Sequence, residues 1–150
     1  MDFFLGGEGN LKPANAAVAL IQLEDERYLL QLRDQKPGIF YPGHWGLFGG
    51  AMDTAETPQA AVMRELQEEL GFDLPNIEHL TDFSFTFGRH GIVTRHFFQI
   101  RLPSSAFDRL QLREGADMRA FSAPEILNLP RVVPYDSFAI WLHASGILLQ

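Results

Sequence analysis

The segment GAMDTAETPQAAVMRELQEELGF, residues 50–72, carries the clearest structural pattern in this sequence. Thr57 is a residue type that favours the N-cap of a helix, and Pro58 after it is typical of the first helical turn. Gly71 is typical of the position just after a helix, where the backbone turns left-handed. This signature segment therefore predicts a helix over Pro58–Leu70.

Apolar and acidic side chains fall on different faces of that predicted helix. The apolar ones fall within one arc of about 100°, which we expect to face the core: Val62, Met63, Leu66 and Leu70. Glu65, Glu68 and Glu69 share another arc, where like charges three and four residues apart cost a few tenths of a kcal/mol per pair. Spacing alone leaves two interpretations open, a site for a hard divalent cation or a solvated surface face.

The charge of the chain is concentrated in the same segment. The 150 residues carry 19 acidic and 12 basic side chains, a net charge of −7. Residues 50–72 hold five acids and one arginine, net −4, which is more than half of the excess. The overall charge argues against an extended nucleic acid as partner, since that function needs a basic face.

Composition excludes several other classes. The chain has no cysteine, so we expect neither a disulfide nor a thiolate metal site nor a cysteine nucleophile. No apolar run approaches the roughly 18 residues of a membrane span, and the first residues lack the basic start of a secretory signal. We expect a single domain over residues 1–150, located in the cytoplasm.

The rest of the chain predicts strands mixed with few helices, hence an α+β fold. We expect a hairpin around Glu24–Arg27, a long functional loop over Lys36–Gly50, and a capping box at Ser122–Glu125 that opens a short helix. The remaining predicted strands and last helix are Ile77–Phe87, Ile92–Leu102, Met118–Phe121 and Asp136–Ser145.

The glycine pair before the helix shifts the balance toward a cation site. In Phe48-Gly49-Gly50 the backbone can approach a ligand closely, because glycine has no side chain to block it. A glycine pair alone is weak evidence, but here it directly precedes the segment that bears the carboxylates.

Taken together, these residues resemble a known pattern. Gly50, five residues, Glu56, seven residues and then RELQEELGF, residues 64–72, are similar to the complete signature of the Nudix (MutT-type) hydrolases. The resemblance implies an α/β/α sandwich with a central mixed β-sheet. It also implies Mg²⁺- or Mn²⁺-dependent hydrolysis of a nucleoside diphosphate linked to another moiety.

The resemblance also implies roles inside the signature segment. Glu65, Glu68 and Glu69 would be catalytic residues that bind metal, with Glu65 sometimes assigned as the base. The carbonyl of Gly49 would complete the coordination. Gly50 would lend structural support, together with an ion pair between Glu56 and Arg64.

Two candidates outside the segment follow from family habit. Arg33 ends a predicted strand where MutT-like members place a phosphate-contacting arginine; the alternative is a surface arginine. Glu114 lies in a predicted loop where many members carry a further metal ligand or general base; the alternative is a plain polar loop.

Other side chains are weaker candidates for substrate contact. Trp45, Phe48 and Tyr41 could stack on a base, although aromatic residues in such a loop more often pack in the core. Asp136 lies where some members read a purine. The five histidines show no metal-ligand spacing, and we assign none of them to a metal.

The substrate is inferred by elimination. Markers of several Nudix subfamilies are missing downstream of the signature, which leaves a (deoxy)nucleoside triphosphate, oxidised forms included. The alternatives are a nucleotide-sugar hydrolase, a catalytically silent nucleotide sensor, and an acidic domain that binds a protein partner. Family habit suggests a homodimer, and no membrane is expected as a partner.

Overall fold

Strand β1, Ala16–Leu23, is the centre of the architecture because its sequence, AAVALIQL, is almost entirely apolar and buried. The computed structural model describes residues 11–71, 76–86 and 91–146. Besides β1, its strands are β2 Tyr28–Leu32, β3 Trp45–Gly46, β4 Phe48–Ala51, β5 Glu78–Thr86, β6 Ile92–Leu102 and β7 Asp117–Phe121. Its helices are α1 Pro58–Leu70, α2 Ala123–Asn128 and α3 Pro134–Ala144, with a 3₁₀ segment at Ser104–Arg109.

The sheet is mixed, as the resemblance implies. Strand β1 pairs in parallel with β6, and on its other side it pairs antiparallel with β2 at one end and with β4 at the other. The strand order is β3-β2-β1-β6-β5, and β7 adds to β2. This arrangement brings the glycine pair of β4 against the start of β1, at the centre of the sheet.

A helical layer covers each face of the sheet. Alternate residues of β1 point to opposite faces: Ala17 and Ile21 join a core cluster with Leu66 of α1, whereas Val18 packs in a second cluster with Ile140 of α3. The expected α/β/α sandwich around a mixed sheet is therefore confirmed.

Helix α1 begins and ends at the predicted residues. The Thr57 hydroxyl accepts a hydrogen bond from the Ala60 amide at 3.2 Å, and Gly71 has φ +61° in the left-handed region. The capping box at Ser122 and Glu125 is present with both of its hydrogen bonds. The sequence was sufficient to predict these helix caps because each cap depends only on residues close to it in the chain.

Several predicted elements differ from the structure. The predicted loop over Lys36–Gly50 contains strands β3 and β4, whose backbone hydrogen bonds are made to the distant β2 and β1. Helix α3 begins at Pro134, ahead of the predicted Asp136. None of the helices in the described part of the chain combines the length and apolar character needed to cross a membrane.

Candidate active site

The N-terminal end of the signature segment is fixed by one ion pair. Arg64 Nε donates to Glu56 Oε2 at 2.8 Å, and Arg64 Nη2 donates to Glu56 Oε1 at 2.9 Å, a bidentate geometry. These hydrogen bonds lower the pKa of Glu56 to about 2, and they raise the pKa of Arg64. Arg64 also donates to the Ala51 carbonyl at 3.2 Å, so the pair joins α1 to the end of β4.

Glu69, at the other end of the segment, is almost completely buried. Its side chain lies under the glycine pair, where the Gly49 amide donates to Oε1 at 2.8 Å, and the residue is only 2% exposed. Burial raises its pKa to about 8; the Gly49 hydrogen bond opposes this shift, and repulsion by Glu65 and Glu114 adds to it. The surface-face interpretation is therefore wrong for this glutamate.

Glu65 and Glu68 show intermediate and high exposure. The Glu65 carboxyl packs against Gly50, where an added Cβ would lie 2.9 Å from Glu65 Cδ, so a side chain at this position would displace that carboxyl. Burial raises the pKa of Glu65 despite a 3.0 Å hydrogen bond from Arg64. Glu68 is more open, with 49% of its side chain exposed. The three carboxylates thus form a gradient from buried to exposed.

The loop that bears Glu114 is held close to this group. Gln31 Nε2 donates to the Glu114 carbonyl at 2.8 Å, and the Arg113 amide donates to the Glu69 carbonyl at 2.8 Å. The Glu114 side chain is exposed, and its charge raises the pKa of both Glu65 and Glu69. The structure therefore brings Glu114 near the signature glutamates across the end of β2.

Gln31 is a residue that sequence reasoning missed. It is 6% exposed in β2, and its side-chain amide lowers the pKa of Glu69. Its contact with Gly115 is tight, because an added Cβ there would lie 2.6 Å from Gln31 Nε2. The sequence feature that could have indicated Gln31 is its amide side chain within the otherwise apolar strand YLLQL, since a buried amide needs hydrogen-bond partners.

These residues fit a hard divalent cation. The donor atoms are all oxygens, as Mg²⁺ and Mn²⁺ prefer. Two of the carboxylates, those of Glu65 and Glu69, have raised pKa values because burial is not balanced by sufficient positive charge. A cation would supply that charge, whereas a purely structural role is better served by apolar side chains.

A cavity of about 230 Å³ opens beside the glycine pair, which forms part of its wall together with Arg33 and Arg95. Arg33 Nε donates to the Phe40 carbonyl at 2.8 Å. Burial lowers the pKa of Arg33, and the positive charge of Arg95 lowers it further. Two guanidinium groups thus face one cavity, which favours an anionic ligand.

Asp136 lies behind this cavity and is fully buried. Arg95 Nε donates to Asp136 Oδ1 at 2.9 Å, and the Leu47 amide donates to Oδ2 at 3.0 Å. The paired Arg95 guanidinium lies 4.5 Å from the centre of the Tyr135 ring. Asp136 was expected to contact substrate directly; the structure instead places it where it orients Arg95.

Two of the expected stacking residues, Trp45 and Phe48, do not line the cavity. Phe48 is fully buried in the α1-side core because it alternates with Gly49 along β4, and Trp45 packs edge-on against Phe121 at 4.9 Å. Among the described residues, the aromatic walls of the cavity are Phe40, Tyr41, Phe85 and Tyr135. Of the three stacking candidates, only Tyr41 lines this cavity.

One group of potential metal ligands lies outside the signature segment. His79, Asp82 and His96 place one ligand atom each within 4.8 Å of the other two. The linear spacing of the histidines gave no indication of this group.

Comparison with known proteins supports the fold and the family. The family model of the NUDIX domain matches residues 12–142. Over 59 residues the chain is 39% identical to an 8-oxo-dGTP diphosphatase of Proteus vulgaris, covering 39% of this chain and 51% of that protein. Over 44 residues it is 48% identical to the nucleoside triphosphatase NudI of Enterobacter sp. (strain 638), covering 29% and 30%. The alignments thus span about half or less of these relatives.

Solved structures show the same fold. A MutT protein from Methanosarcina mazei Go1 superposes with a TM-score of 0.74 at 20% identity, covering 93% of this chain and 98% of that one. NrtR of Shewanella oneidensis, solved with a 27mer DNA, gives 0.69 at 21% identity, covering 89% and 61%. Since the NUDIX model matches most of the sequence and the fold agrees, this chain belongs to the Nudix family.

Proposed function

We propose that this protein is a divalent-metal-dependent pyrophosphohydrolase that acts on nucleoside triphosphates, oxidised forms included. One observation carries the proposal. The half-buried carboxylate of Glu65 and the buried carboxylate of Glu69 contact Gly50 and Gly49. This glycine pair forms part of the wall of a cavity that also presents Arg33 and Arg95. Carboxylates and arginines that flank the same glycine pair suit a phosphate chain bound together with cations.

The proposed metal ligands are the signature carboxylates, Glu114 and the Gly49 carbonyl. A bound Mg²⁺ or Mn²⁺ supplies charge that phosphate oxygens can share and lowers the pKa of a coordinated water. The protein contributes the fixed positions: Arg64 orients the helix through Glu56, and Gln31 holds the Glu114 loop against Glu69.

Substrate binding and proton transfer are assigned to other side chains. Arg33 and Arg95 would bind phosphate oxygens, while the rings of Tyr41 and Tyr135 would stack on the base. Water adds to a phosphorus atom, and the oxygen that linked it to the next phosphorus leaves. Glu114, the exposed carboxylate near the group, is the proposed acceptor of the proton from that water.

The preference for triphosphates rests on two lines of support. The names of both curated relatives reported above refer to triphosphate or 8-oxo-dGTP substrates. All four signature glutamates are present, which favours an enzyme over the alternative of a catalytically silent sensor. The match over residues 12–142 also supports a single domain, which we propose for the chain.

The test is a substrate screen with matched variants. Nucleoside triphosphates, 8-oxo-dGTP and nucleotide sugars are incubated with Mg²⁺ or Mn²⁺, and released phosphate and pyrophosphate are measured separately. We expect pyrophosphate from triphosphates, a large loss in Glu68→Gln, and wild-type rates in Glu24→Gln, a glutamate in the distant β1–β2 turn. Absence of turnover on every substrate, with Glu68→Gln equal to wild type, would contradict the proposal.

A further inference from the structure

A second group of metal-ligand side chains lies on the β5–β6 hairpin. Asp82 Oδ1 is 2.7 Å from His79 Nε2 and 2.8 Å from His96 Nδ1, so two imidazoles converge on one carboxylate oxygen. We name these three residues the β5–β6 cluster. It is separate from the signature segment, whose ligand atoms are all oxygens.

A bulge in β5 creates this cluster. His79 and Asp82 are three residues apart, and in a regular strand they would point to opposite faces of the sheet. The register shifts between His79 and Thr81, so Leu80 is an extra residue and the two side chains share one face. His96 lies directly opposite Asp82 in the antiparallel pairing, which completes the group.

The cluster is also positioned by packing. The His79 ring contacts Phe98 edge-on, with centroids 5.5 Å apart, and the His96 side chain is only 18% exposed. Asp82 and His79 remain open to solvent, with 44% and 51% of their side chains exposed. The ligand atoms are therefore partly fixed in place and still accessible to an ion.

The chemistry of these donors selects the class of metal. Two imidazole nitrogens with one carboxylate oxygen suit Zn²⁺ and related transition ions, whereas Mg²⁺ prefers oxygen ligands alone. Ligand atoms around Zn²⁺ lie about 3.4 Å apart, given metal–ligand distances of about 2.0–2.1 Å. The observed distances from Asp82 need only small side-chain rotations to reach that separation.

We propose that His79, Asp82 and His96 form a binding site for a transition-metal ion of the Zn²⁺ class, distinct from the proposed catalytic site. Each neutral imidazole binds through the nitrogen that now faces Asp82, and its single ring proton moves to the other nitrogen. Three protein ligands leave at least one position for water or another ligand.

The test uses the full chain, freed of metal, in a large excess of Mg²⁺ that occupies the all-oxygen site. Zn²⁺ is titrated calorimetrically, and the imidazole resonances of His79 and His96 are followed by NMR. We expect saturable binding of one ion that shifts both rings. His96→Gln and Asp82→Asn should each weaken binding by at least about tenfold, the scale of lost support at metal sites.

Two controls separate this site from the rest of the molecule. Asp25→Asn removes another exposed aspartate, which pairs with Arg27, and Glu68→Gln alters the signature segment; both should bind Zn²⁺ as wild type does. His79→Gln, at an exposed position, provides a further variant in case Asp82→Asn unfolds. Loss of Zn²⁺ binding in Glu68→Gln alone, or unshifted His79 and His96 resonances, would overturn the proposal.

Discussion

Glu56 and Glu69 belong to the same signature segment, yet their electrostatic surroundings are opposite. Glu56 is held by two hydrogen bonds from Arg64, and its pKa falls to about 2. Glu69 is buried beneath Gly49, accepts a hydrogen bond from the Gly49 amide and has a pKa of about 8. Glu56 thus has its ion-pair partner within the protein, whereas Glu69 makes no ion pair with any of the residues that the structure describes. A bound cation would therefore be stabilised most by the carboxylates at the Glu69 end of the segment.

The largest expected effect is the loss of Glu69. Glu69→Gln keeps the hydrogen bond from the Gly49 amide but removes the proposed metal ligand. We expect hydrolysis to fall by at least about 100-fold, since even groups that only support ligands cost 10–100-fold. Steady-state rates across Mg²⁺ concentrations would measure this effect. A rate close to wild type at saturating Mg²⁺ would remove Glu69 from the site.

A smaller effect is expected at Glu114. This residue lies in a loop, and its charge raises the pKa of Glu69. Glu114→Gln should reduce kcat by about 100-fold if the carboxylate accepts the proton, which is the lower end of the usual 10²–10⁴-fold range of acid–base catalysis. The neighbouring Asp117→Asn, whose carboxylate pairs with Arg119, serves as the control. A kcat within twofold of wild type would exclude Glu114 from the reaction.

The smallest effect on activity is expected at Glu56, whose charge is already paired with Arg64. Glu56→Gln leaves the proposed ligands intact, so we expect a few-fold lower rate and a lower Tm. Because the folded pKa of Glu56 lies below its unfolded value of 4.5, the stabilisation is present above pH 4.5 and is lost as pH falls toward 2. Thermal unfolding of both proteins at several pH values would measure this. An equal Tm at neutral pH would show that the ion pair does not stabilise the fold.

The contrast between these two ends also shows what sequence can predict. Helix α1 was predicted to the residue because Thr57, Pro58 and Gly71 act locally. The burial of Glu69 was not predicted, since it depends on Gly49, which β4 brings into place through its pairing with β1. Helical periodicity predicts which residues share a face of one helix. It does not predict which residues of a distant strand pack against that face.

Other differences have the same physical origin. Asp136 and Arg95 lie far apart in sequence and meet only because α3 packs on the sheet. Phe48 occupies the core face of a short strand that a glycine-rich sequence did not reveal. His79 and Asp82 share a face only because of the bulge at Leu80. In each case long-range pairing or an irregular register decided the outcome.

The most direct test of the account compares the stability of metal-free wild type and Glu69→Gln as pH rises. Because the folded pKa of Glu69, about 8, exceeds its unfolded value of 4.5, its favourable contribution is complete below pH 4.5 and is lost as pH rises through 8. The wild type should therefore lose on the order of several kcal/mol across this window relative to Glu69→Gln. Mg²⁺ added at the alkaline end should restore stability to wild type and have little effect on the variant. Parallel pH curves for the two proteins, with no stabilisation by Mg²⁺ in either, would contradict the cation site.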